Sequence, residues 1–321
     1  MHKTLILSAL LVVNCFAANV LAQIPRTAPQ YFSRAHERYL KGDFDGAAAD
    51  LSRAIELSSQ PWNPGVNRLA ASSEEIKVLD PFTSAAYAFR GLIRYLQNDF
   101  ETAIEDCSLA IKINPRFAEP HNYRGISRLR LRDTGGAKND FDRALALNPR
   151  YTDAYNNRGN TYVEVRDIDR ALADFDRAIQ LEPNLAITYY NRGLARRIKR
   201  EYEGAMSDFK RVVELDSRMA SGYYGRGLIY YDKQELEPAI VEFNRAIELD
   251  PKMALAYGNR GLTYLRLGKD ESAERDFEAS IKLDPKLKEE LEERIKTLTD
   301  LDKRQSSQNL RSADQSPPQA P

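Results

Sequence analysis

Histidine, cysteine and clustered carboxylates are the side chains that most often carry catalysis or hold metals. This chain of 321 residues has three histidines and two cysteines. His36 and His121 stand alone and read as structural or surface groups. Cys107 falls within an apolar pattern and reads as an inert buried thiol. Gly268-Lys269 hints at a phosphate loop, but Thr263 and Asp270 break the required spacing. Asp43-Phe44-Asp45-Gly46 hints at a calcium loop, but Lys41 and Ser52 occupy the first and closing ligand places. No C-x-x-C, H-E-x-x-H or G-x-S-x-G occurs. The expectation is no enzyme, no cofactor and no metal.

What does recur is a pair of opposite charges. Arg34, Arg90, Arg124, Arg158, Arg192, Arg226 and Arg260 are each followed sixteen residues later by an acid: Asp50, Asp106, Asp140, Asp174, Asp208, Glu242 and Asp276. A planar guanidinium can close on a carboxylate through two parallel hydrogen bonds. Two readings are open: a brace inside a structural unit, or a charged groove that reads a ligand.

The elements that would position these pairs follow from the same periodicity. Six Arg-Gly pairs, from Arg90-Gly91 to Arg260-Gly261, recur every 34 residues without slippage. Twelve residues after each Gly stands Ala (Ala103, Ala137, Ala171, Ala205, Ala239, Ala273). Sixteen after it comes Cys107, Phe141, Phe175, Phe209, Phe243 or Phe277. Twenty-four after it is Pro115, Pro149, Pro183, Pro251 or Pro285, with Ser217 the exception. Small residues let two helices approach closely, large apolar ones fill the space beside the contact, and Pro ends the second helix.

This pattern resembles the tetratricopeptide (TPR) repeat. The resemblance covers about 28–304. It implies an all-α fold, a right-handed α-solenoid of seven TPR helix pairs plus a C-terminal capping helix. The repeats are expected at 28–61, 84–117, 118–151, 152–185, 186–219, 220–253 and 254–287. A 22-residue insertion at 62–83 follows the first repeat, and Trp62 opens it. It reads either as a flap over the groove or as a tolerated loop with a short helix near 72–79. In 288–304, Leu287, Leu291, Ile295 and Leu298 form one stripe suited to capping the stack. Residues 305–321 lack an apolar pattern and are expected to be disordered.

The first segment, 1–22, reads as a secretory signal. Lys3 precedes an apolar core, and Val20-Leu21-Ala22 suits cleavage before Gln23. An uncleaved anchor is the alternative. Asn14 before Cys15 disfavours lipidation. No later stretch has the roughly 20 apolar residues a span needs. Lysine and arginine number 47 against 47 acids, which argues against nucleic acid, since that needs a basic face. The chain has no Asn-x-Ser/Thr sequon. A bacterial-type exported protein, periplasmic or secreted, is expected.

Function follows from the resemblance. In TPR proteins a concave groove is lined by first-helix places 2, 5, 6, 9, 12 and 13, counted within the 34-residue repeat. Carried onto this chain, those places select Asn122, Asn156, Asn157, Asn160, Tyr190, Asn191, Arg197, Tyr224, Tyr231 and Asn259 as the peptide- or partner-binding set. Asn157, Asn191 and Asn259 share place 6, similar to asparagine ladders that hold extended peptides in some TPR superhelices, but here Tyr123 and Gly225 break the ladder. An amide donates and accepts at once, so it suits a peptide backbone. The other reading is that these amides cap turns or face water. Places 2 and 5 carry no Lys or Arg, so a basic clamp for a C-terminal carboxylate is not expected. The reading is a protein-interaction scaffold with a protein or peptide partner and self-association as a further mode. The alternative is a self-assembling structural component of the cell envelope.

Overall fold

A computed structural model describes residues 27–59 and 81–300. The segment 1–22 expected as a signal, nearly all of the insertion and the expected disordered tail 305–321 lie outside the described residues. The chain divides into two compact units, one ending at Leu181 and the other beginning at Glu182.

The first unit holds four helix hairpins. They are α1 (Ala28–Leu40) with α2 (Phe44–Ser59), α3 (Pro81–Leu96) with α4 (Phe100–Ile113), α5 (Glu119–Arg130) with α6 (Thr134–Leu147), and α7 (Thr152–Glu164) with α8 (Ile168–Leu181). The second unit holds α9 (Ala186–Ile198) with α10 (Tyr202–Leu215), α11 (Ala220–Asp232) with α12 (Leu236–Leu249), and α13 (Ala254–Arg266) with α14 (Asp270–Leu283). A 3-10 turn at Pro285–Leu287 leads into helical residues 288–300, here α15. Within each unit a hairpin packs on the next, and first helices of successive hairpins touch: α3 with α5, α5 with α7, α9 with α11, and α11 with α13. Pro81–Thr83, counted with the insertion by the sequence pattern, form the first turn of α3. Phe82 packs there on Phe32 with ring centroids 5.5 Å apart.

Each hairpin turns through the same backbone state. Gly42, Asn98, Arg132, Arg166, Arg200, Gln234 and Gly268 all have positive φ, between 61° and 79°. All seven occupy place 15. The next residue caps the second helix in several repeats: Asp43 accepts from the Gly46 N–H at 2.9 Å, and Asp133 from the Gly136 N–H at 2.8 Å. Between hairpins the residue before Pro is extended, as at Asn114, Asn148, Asp250 and Asp284. Asp216 adopts the same conformation before Ser217, so proline reinforces this turn but does not create it.

Within each unit the core lies between the paired helices. Phe141, Phe175, Phe209 and Phe243 are completely buried, as are the Ala residues beside them. The reason for glycine at place 8 is the aromatic ring facing it. A Cβ on Gly125 would lie 2.6 Å from the Phe141 ring, and one on Gly159 2.7 Å from that of Phe175. The first hairpin solves the same problem differently: Ala35 replaces the glycine and Leu51 the phenylalanine, and both are fully buried. The smaller partner admits the extra methyl.

The end of the second unit is covered by α15. Leu291 is buried against Leu262 and Phe277, with Leu287, Ile295 and Leu298 alongside. Among the described residues no helix is long and apolar enough to cross a membrane.

Candidate partner-binding strips

All seven arginine–acid pairs form. Six are two-pronged: Arg158, for example, donates from Nε and Nη2 to Asp174 at 2.8 and 2.7 Å. Each joins the first helix of a hairpin to its second. The acids are buried, so the pairs brace the fold and do not line a groove. In four repeats a second arginine grips the same carboxylate: Arg38 on Asp50, Arg94 on Asp106, Arg128 on Asp140 and Arg196 on Asp208. Burial opposes ionisation of Asp140, but His121, Arg124 and Arg128 outweigh it and hold its carboxyl below the usual value. The bracing arginine also lies over the tyrosine at place 4, as Arg90 does over Tyr87 at 5.3 Å.

The same arginine links neighbouring repeats. Arg90 donates to Ser52, Arg124 to Ser108, Arg158 to Asp142 and Arg260 to Asn244, at 2.6–3.0 Å. These acceptors share place 25. At the joint between the repeats 186–219 and 220–253 that place holds Lys210. There Arg226 meets Glu242 through Nη2 alone, and its buried Nε has no partner. Burial pushes the Glu242 carboxyl up, against the pull of Arg226.

The first-helix places nominated by the sequence form a strip in each unit. In the first unit, Asn157 Nδ2 donates to Asn122 Oδ1 at 3.0 Å, and Asn122 Nδ2 donates to the Tyr151 hydroxyl at 3.3 Å. Asn122 is buried, whereas Asn156, Asn157 and Asn160 are partly exposed on α7. In the second unit, Arg197 closes on Asp232 of the next repeat at 2.6 and 2.9 Å. Arg266 lies over the Tyr231 ring at 4.6 Å. Tyr190, Asn191, Arg197 and Tyr231 are partly exposed. Tyr224 and Asn259 are buried and bonded to each other at 3.0 Å, and Asn259 also accepts from Arg294 of α15 at 3.0 Å. Asn122, Tyr224 and Asn259 therefore support the strips, while the other seven nominated residues present surface.

Two sets of residues carry geometry that sequence reasoning passed over: the place-25 acceptors and the second arginine at place 11. Their recurrence was the available signal. Among the described residues no three His, Cys, Asp or Glu gather for a metal. Cys107 is fully buried, and burial pushes its thiol far up.

The geometry agrees with comparison to known proteins. Tetratricopeptide repeat family models match residues 84–117, 152–185, 186–218 and 254–287, and a TPR repeat model matches 227–268. A tetratricopeptide repeat protein from Parabacteroides merdae superposes with a TM-score of 0.64 at 19% identity, over 84% of this chain and 98% of that one. Pseudomonas aeruginosa PilF gives 0.55 at 20% identity, over 63% and 92%. The APC/C hetero-tetramer Cut9–Hcn1 gives 0.58 at 16%, over 83% and 55%. At these identities the likeness shows the fold alone. No curated protein matches the chain. The chain belongs to the tetratricopeptide repeat family, with the all-α stacked-hairpin fold of TPR solenoids. Proteins of this family serve as interaction scaffolds and bind protein partners.

Proposed function

We propose that this protein is a non-enzymatic scaffold that docks a peptide or partner surface on its first-helix strips, in the periplasm or outside the cell. The observation that carries the docking reading is the contact of strip residues across repeats, Asn157 with Asn122 and Arg197 with Asp232. Such contacts fix the side chains before a partner arrives, which lowers the entropy cost of binding. The compartment rests on the leader-like residues 1–22 of the sequence.

The test is affinity capture from the native compartment, with wild type beside an Asn156/Asn160/Asn191→Ala variant. Loss of a specific partner at unchanged helicity and melting supports the reading. An unchanged partner list refutes it. Fractionation of the native cell tests the compartment: recovery with cytoplasmic markers refutes export.

A further inference from the structure

The strip of the first unit has a definite sign. Across the repeats 118–151 and 152–185 its places hold Glu119, Asp153 and Glu164 as acids and Arg130 as the one base. The Arg130 guanidinium lies over the Phe100 ring at 5.1 Å. Among the described residues Glu119 has no ion-pair partner, although it is partly buried at the start of α5. Burial pushes its carboxyl up. Glu119 and Asp153 both lie near the Tyr123 and Tyr151 phenols. Burial first pushes both phenols up; Glu119 and Asp153 add to it at Tyr123, and Tyr123 and then the two acids add to it at Tyr151. Tyr151 in turn holds Asn122, and Asn122 holds Asn157. Asn157 thus commits its Nδ2 to Asn122. Ile126, Leu129 and Val163 add partly exposed apolar surface at places of the same strip.

We propose that this strip takes an extended peptide carrying a basic side chain, with Glu119 receiving the cation and Asn157 and Asn160 meeting the peptide backbone. A carboxylate only accepts, so it selects donors. A cation beside Glu119 would offset the cost of burying its carboxylate. An acidic peptide would meet like charge there, which opposes binding. This inference rests on the docking reading above and specifies its partner in the first unit.

The test uses the full chain and three fluorescein-labelled twelve-residue peptides, alternating Ala with Lys, Gln or Glu, read by anisotropy at low salt. The Lys peptide is expected to bind about tenfold more tightly than the Gln peptide, and the Glu peptide most weakly. Glu119→Gln should remove most of the Lys preference and leave the Gln peptide unchanged. Glu289→Gln, on the acidic α15, should leave all three unchanged. Equal binding of the Lys and Gln peptides overturns the proposal, as does a Lys preference that survives Glu119→Gln. If Asn157→Ala weakens all three peptides alike while charge has no effect, the strip still docks peptides and only the basic specificity falls. If no peptide binds and the Asn156/Asn160/Asn191→Ala variant keeps its captured partners, the docking reading itself falls.

Discussion

Arg158 reaches Asp142 of the preceding repeat at 2.7 Å while closing on Asp174 of its own. One guanidinium thus ties two helices within a hairpin and one hairpin to the next. Arg226 has the same position in its repeat and lacks the second tie, because Lys210 stands where Asp142 stands. Lys210→Asp is expected to give Nη1 of the partly buried Arg226 an acceptor and to stabilise the second unit by about 1 kcal/mol. Thermal melting and hydrogen exchange of α10–α12 would show it. No gain would mean that Arg226 is already satisfied by solvent.

Gly125 and Phe141 form a matched pair, and Ala35 with Leu51 is the alternative match. Gly125→Ala forces a methyl against the ring and is expected to cost about 1–3 kcal/mol. Phe141→Leu in the same chain should recover part of that loss, as Leu51 does beside Ala35. A double-mutant cycle measures the coupling. Strict additivity would contradict the account of why glycine is needed at this place.

Arg132, Arg166 and Arg200 hold left-handed backbone with ordinary side chains. That conformation costs an L-residue roughly 1–2 kcal/mol, and glycine escapes it. Replacing Arg132 by Gly should therefore raise the melting temperature, whereas glycine at Arg128 in the body of α5 should lower it. A fall in both variants would show that the Arg132 side chain does more than fill the turn.

The Asp140 carboxyl sits below its usual range in the folded chain. A depressed carboxylate contributes stability that is fully present above the unfolded-state value of about 3.9 and is lost as pH falls through the lower folded value. Wild type should exceed Asp140→Asn in stability at neutral pH, and the gap should close only in that acid window. Urea titrations at stepped pH would measure it. A gap that closed near neutrality would assign the effect to another group.

The hairpins and the seven arginine–acid pairs were legible because a 34-residue period repeats residue types in register. Burial within the first-helix faces was not. Asn122 and Asn156 share place 5, yet Asn122 is covered by Tyr151 from the inter-hairpin turn and Asn156 is partly exposed. Asn259 is likewise held by Tyr224 and Arg294. Those covering groups lie 29 or 35 residues away, outside any local pattern. The left-handed turns were not read from the sequence; glycine marks them only at Gly42 and Gly268. At Arg132, Arg166 and Arg200 the repeat geometry imposes a conformation that the residue type does not announce.

The most direct test of docking on the first-helix strips is site-specific photo-crosslinking in the native compartment. A benzoylphenylalanine at position 160 or 191, on the strips, is compared with one at 143 or 177, on exposed faces of α6 and α8. Partner crosslinks from 160 and 191, with none from 143 and 177, are the predicted result. Crosslinks from 143 and 177 alone, or equally from all four positions, would contradict it.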